Sequence, residues 1–166
     1  MIKKIYFWCP FVDKVATVKS VINSAKSLNK YSNKKFNCKI VDASGEWSSL
    51  SNECKKNKID IIKLSKKIQI LKKSKVGYLK SRLAYIYIFF SCFFSLKNLL
   101  KKDQPDFLII HLITPLPLIL FYLYNFKTKL ILRISGYPKM NIIRKFFWKI
   151  LYPKIDYITS PTEGTL

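Results

Sequence analysis

FLIIHLITPLPLILFYLYNF, residues 107–126, carries no formal charge and is long enough to cross a bilayer, so the fold turns on whether it does. Thr114, Pro115 and Pro117 cut the run into a strand-sized piece and a helix-sized piece. A spanning reading would also put His111 well inside hydrocarbon, where an ionisable side chain is costly. The stretch therefore reads as a strand over 106–112, followed by a helix from Pro115, a residue suited to a first helical turn, to about Asn125. The strand shows no polar alternation, as expected for a strand buried on both faces of a parallel sheet. A second apolar run, LAYIYIFFSCFFSL at 83–96, falls short of the roughly 20 residues that span a membrane. It reads as part of a long helix from Ser81 to about Leu100, apolar on most sides and wedged between layers.

Working outward, the same alternation of strand and helix recurs. Residues 3–9 form a first strand, stopped by Pro10 and Asp13; MIKKIYFWCPF is too short in its apolar part for a signal peptide. Thr17 caps a helix with Val18, Val21, Ile22, Ala25 and Leu28 on one side and Lys19, Asn23, Lys26 and Lys30 on the other. Residues 36–41, 59–64, 129–134 and 155–159 read as further strands, and 46–57 as a loop or short helix. Asn141 caps a helix striped by Ile142, Ile143, Phe146, Phe147, Ile150 and Leu151. Such units predict an α/β fold of Rossmann-like type, a mostly parallel sheet with helices on both faces. A length of 166 residues suits one domain, placed at 1–159. Ser160, Pro161, Thr162 and Glu163 spell a capping box, and a helix begun there would be too short to hold itself in water. Residues 160–166 are thus expected to begin a truncated linker or helix, and the chain to be a fragment.

Composition narrows the function. Lys plus Arg number 31 against 9 Asp plus Glu, a formal charge of +22, so the surface attracts phosphates, acidic glycans, nucleic acid or anionic lipid. The lysine-dense interval 55–75 reads as a solvated face. Only 4 glycines are present, with no GxGxxG or GxxxxGKS phosphate cradle. Cys9, Cys38, Cys54 and Cys92 lie tens of residues apart, which argues against a metal site and for reduced, buried thiols in a cytoplasmic protein. One histidine and scattered acids assemble no Ser-His-Asp triad, no Cys-His pair beyond the loose coincidence of Cys9 and His111, and no glycosidase carboxylate pair. Nucleic acid is disfavoured as a partner because charge alone, without a recognition motif, speaks for it. A basic polyanion- or nucleic-acid-binding module and a small membrane-associated protein stand as alternative readings.

In a parallel α/β sheet, ligands gather beyond the carboxyl ends of the strands. His111 lies at one such end, and Arg133, Ser135 and Gly136 at the next, so the two sets are expected to share a crevice. His111 is either a core imidazole bonded to a neighbouring carbonyl or the polar tip of the site. Arg133 needs an acidic partner, such as Asp106 or Asp156, or an anionic ligand.

With these residues in view, the chain resembles the N-terminal domain of retaining, nucleotide-sugar-dependent glycosyltransferases built from two Rossmann-like domains, the GT-B fold, and in particular glycosyltransferase family 4. The likeness runs through the whole chain and is densest in PDFLIIHLITP, KLILRISGYPK and KIDYITSPTEGT, from Pro105 onward. The resemblance implies transfer of a sugar, with retention, from a nucleoside diphosphate sugar to a saccharide or lipid-linked acceptor, with no cofactor and no obligatory metal. His111 matches the family's strand-end histidine and would position the donor sugar. Arg133, Ser135 and Gly136 would line the cleft, and the loop after the first strand, with Pro10 and Lys14, would meet substrate or donor phosphate, although the glycine pair common there is lacking. The implied partners are a missing C-terminal donor-binding domain, the nucleotide sugar and the acceptor, and the basic, aromatic-rich composition adds an anionic membrane surface. The implied setting is cell-envelope polysaccharide synthesis, in the cytoplasm or peripherally at the inner face of the membrane, and the lobe alone is expected to be inactive.

Overall fold

Residues 107–126 are not one helix. In the computed structural model, which describes residues 2–11, 16–64, 78–111, 115–134 and 142–160, they form a strand at Phe107–His111 and, from Pro115, a helix that ends at Leu123. Six strands make one sheet: β1 (Lys3–Trp8), β2 (Phe36–Asp42), β3 (Asp60–Lys63), β4 (Phe107–His111), β5 (Lys129–Arg133) and β6 (Tyr157–Thr159). Every pairing is parallel, in the order β3-β2-β1-β4-β5-β6. Strand order reverses between β1 and β4, which opens a crevice above their carboxyl ends. This is the Rossmann-like sheet that the strand and helix alternation predicts.

Two apolar cores lie on opposite faces, because alternate residues of a strand point to opposite sides. Helix α1 (Ala16–Tyr31) buries Val18, Val21, Ile22 and Ala25 on one face, against Phe7, Cys9 and Ile40. The short helix α2 (Ser51–Lys56), preceded by a 3₁₀ turn at Glu46–Leu50, adds Cys54 and Trp47 to the same core, so the 46–57 segment is mostly helical. The other face is covered by α3 (Tyr78–Asp103), α4 (Pro115–Leu123) and α5 (Ile142–Leu151), which pack on Trp8, Leu108, Ile110, Leu130 and Leu132.

Helix α3 is longer at both ends than the 81–100 expectation. Over Leu83–Asp103 it meets the length and composition for crossing a membrane, as the quoted 83–96 run alone does not. It is nonetheless committed to the sheet. Ala84, Ile88, Cys92, Leu96 and Leu100, one per turn, are buried. The Cys92 thiol donates to the Ala43 carbonyl at 3.2 Å, and the Tyr6 hydroxyl donates to Asp103 at 2.8 Å, fastening the C-terminal half of the helix. The final strand starts at Tyr157 rather than 155, because a 3₁₀ turn at Tyr152–Lys154 delays it and the Asp156 carboxylate turns aside to accept the Leu130 amide at 2.7 Å.

Candidate functional site at the carboxyl edge of the sheet

His111 and Arg133 are register partners, the last residues of β4 and β5. In a parallel pair, residues in register project to the same face, and here that face is the one covered by α1. The Phe7 ring, on that face, lies 6.0 Å from the imidazole, and Arg133 Nη1 donates to Ser24 Oγ of α1 at 2.6 Å. Cys9 follows Trp8, which pairs with Ile110 on one side and Val41 on the other. It therefore sits level with His111 and with Asp42, the last residue of β2. Asp42, Cys9, His111 and Arg133 form one row along the carboxyl edge, across the strand-order reversal.

Each member of the row is shaped by burial. His111 is 2 % exposed, and among the described residues its Nε2 has no hydrogen-bond partner. Burial first, and the Arg133 charge second, lower its pKa from 6.5 to about 4, so the ring is neutral at pH 7. Arg133 does not take either expected carboxylate: Asp106 accepts the Lys4 amide at 2.8 Å, and Asp156 is engaged by Leu130. The Ser24 hydroxyl is neutral, so it aims the guanidinium without cancelling its charge. A half-buried cation so placed favours an anionic ligand. Burial pushes the Cys9 thiol up to about 12, with Glu46 adding to the rise, which removes it as a nucleophile beside His111. Pro10 is buried directly after this row. Lys14, Ser135 and Gly136 lie outside the described residues.

A second cluster, unrecognised in the sequence, closes the β2 end of the row. Glu46 turns back over the Ala43–Ser44–Gly45 bend and accepts the amides of Ala43 (3.1 Å) and Ser44 (2.7 Å) and the Ser44 hydroxyl (2.7 Å). Asp42 Oδ1 accepts the Gly45 amide at 2.8 Å, while Oδ2 is buried with no partner among the described residues. Gly45 takes φ 87°, the left-handed conformation that glycine adopts without a Cβ clash. Burial, then the neighbouring Asp42 carboxylate, raises the Glu46 pKa to about 7. Such a carboxyl can hold or release a proton near neutrality. DASGE, a strand-end acid followed by a small-residue bend and a second acid, is the only mark it leaves in the sequence.

No family model and no curated protein sequence matches the chain. Solved structures do. A UDP-GlcNAc 2-epimerase from Neisseria meningitidis, bound to UDP-GlcNAc, superposes with a TM-score of 0.59 at 14% identity, over 99% of this chain and 42% of that one. Another UDP-N-acetylglucosamine 2-epimerase gives 0.60 at 10% identity, over 99% and 43%. CalG4, the calicheamicin glycosyltransferase, gives 0.51 at 11%, over 89% and 36%. At such identities the likeness is one of fold. The chain spans about two-fifths of the length of the epimerase chains it superposes on. It is a Rossmann-like α/β lobe of the GT-B type.

Proposed function

We propose that this lobe is the acceptor side of a retaining sugar-transferring enzyme, related to glycosyltransferase family 4, which moves a sugar from a nucleoside diphosphate sugar to a saccharide or lipid-linked acceptor in cell-envelope polysaccharide synthesis. The observation that carries the reading is the His111–Arg133 register pair, which sets a neutral imidazole and a charged guanidinium side by side at the crevice. A diphosphate leaving group develops negative charge as its bond to the sugar breaks, and a fixed cation at that place stabilises it. An imidazole whose conjugate acid titrates near 4 is a poor proton acceptor at pH 7. His111 therefore positions the donor sugar through Nε2 rather than deprotonating the acceptor. Ser135, Gly136, Pro10 and Lys14 would complete the contacts to substrate or donor phosphate. A second, donor-binding lobe would close the cleft, and without it the 166 residues would bind ligand but not turn it over.

Calorimetric titration with UDP-GlcNAc tests the anion site. Arg133→Gln is expected to weaken binding by more than about tenfold, since charge-assisted hydrogen bonds contribute roughly 1.5–3 kcal/mol, while Lys19→Gln on α1 leaves it unchanged. Equal affinities for the parent and the Arg133 variant would remove the site.

A second reading, epimerisation of a nucleotide sugar, is favoured by the Asp42–Glu46 pair. Inverting a C–H centre requires a group that takes and returns a proton near neutral pH, and burial beside the Asp42 carboxylate raises the Glu46 pKa toward that range. Solvent deuterium appearing in UDP-GlcNAc incubated with a two-lobed form of the enzyme, and its loss on Glu46→Gln, would select this reading over transfer.

A further inference from the structure

The two helical layers present unlike outer faces. On α1 the exposed positions include Lys19, Asn23, Lys26 and Lys30, the polar surface expected where a helix meets water. On the α3–α5 layer the exposed positions include many aromatic and aliphatic side chains. Phe90 is 71% exposed and Phe94 67%, one turn apart on α3, and Phe146 on α5 is 62% exposed. Tyr122 is exposed near the end of α4, the helix that contacts both α3 and α5. Among the described residues, the exposed large hydrophobics outside this layer and the Tyr152 turn that follows it are confined to Ile2, Tyr31 and Tyr157. Lysines rim the patch. Lys97 Nζ lies 4.1 Å from the Tyr124 ring centroid, and Lys101, Lys145 and Lys149 are exposed.

We propose that the outer face of α3, α4 and α5 is a docking surface for an anionic lipid bilayer, with Phe90, Phe94 and Phe146 entering the interfacial region and Lys97, Lys101 and Lys149 meeting lipid phosphates. Exposed apolar patches of this kind mark interaction surfaces, and charge chooses the occupant. A second copy would bring another +22 chain and its lysine rim against this one, which is repulsive. An anionic bilayer accepts both features at once: aromatic side chains fit the interface, and each lysine near the surface adds about 1 kcal/mol. Docking lies flat, because the inner edge of α3, at Ile88, Cys92, Leu96 and Leu100, is packed in the core over the sheet.

Vesicle flotation of the full chain tests this. The chain is expected to float with phosphatidylglycerol-containing phosphatidylcholine vesicles and to remain behind with phosphatidylcholine alone. Trp8 and Trp47 are fully buried, so a blue shift of tryptophan emission on binding reports Trp148 of α5. Phe90→Ser/Phe94→Ser/Phe146→Ser should weaken binding by at least roughly tenfold with unchanged circular dichroism, whereas Lys19→Gln/Lys26→Gln on α1 should not. If the triple variant fails to fold, the single Phe90→Ser and Phe146→Ser variants carry the test, each with a several-fold loss. Undiminished flotation of the folded phenylalanine variants would overturn the proposal. So would equal loss on changing the α1 lysines, or a patch that proves to hold dimers together while vesicle binding is untouched. UDP-GlcNAc affinity should be unaltered in these variants, which separates this result from that of the carboxyl-edge site.

Discussion

His111 is the sole histidine, so one imidazole resonance reports the state of the candidate site. Its folded pKa lies near 4, below the ordinary 6.5. The unfolded chain therefore binds a proton between those values that the folded chain refuses: the stability is full above pH 6.5 and lost as pH falls toward 4. Glu46 runs the other way. Raised to about 7 from 4.5, it holds a proton in the folded state that the unfolded chain releases, so its contribution is greatest in acid and declines as pH rises through 7. Following the imidazole by NMR should give a midpoint near 4 in the free chain; a midpoint near 6.5 would mean an exposed, hydrated ring. The choice between core filler and polar tip could not be made from sequence, because both place a histidine at the end of an apolar strand. The structure shows a buried Nε2 without a described partner beside the Arg133 charge, and ligand binding is what decides between the two readings. The alternative partners of Arg133 were equally undecidable before the Asp106 and Asp156 carboxylates were seen engaged by backbone amides.

Helix α3 separates two kinds of apolar residue that composition alone merges. Leu96 is fully buried against the sheet, while Phe94, two positions earlier, faces outward. Leu96→Ala should cost about 2–5 kcal/mol in urea denaturation, for lost burial and the cavity left behind. Phe94→Ala should cost less than about 0.5 kcal/mol; comparable losses would mean that the outer face is covered in solution. The strands were legible because five-residue runs such as FLIIH and KLILR, set between turn residues and too short for a helix, fit central strands. Helix α1 was legible from its one-sided stripe. The full reach of α3 was not, since its apolar residues occupy both faces and the sequence period gives no edge at which to stop. The Asp42–Glu46 cluster stayed hidden because its carboxylates are brought together by a glycine bend and by burial, neither of which a spacing rule detects.

At the scale of the whole lobe, one sheet carries two separate surfaces: a charged, proton-holding carboxyl edge over the strand-order reversal, and an aromatic, lysine-rimmed helical layer on one face. The first depends on Asp42, Cys9, His111 and Arg133 coming level in register, and parallel pairing of β2, β1, β4 and β5 makes them do so. A shift of one residue in any of these pairings would turn that strand's contribution to the opposite face. His111 and Arg133 are expected to meet the same ligand. The most direct test is to titrate UDP-GlcNAc into the chain while recording the His111 imidazole resonance, in the parent and in Arg133→Gln. A saturable displacement of that resonance in the parent, lost or strongly weakened in the variant, is the predicted result; an unmoved resonance, or the same displacement with and without Arg133, would contradict it.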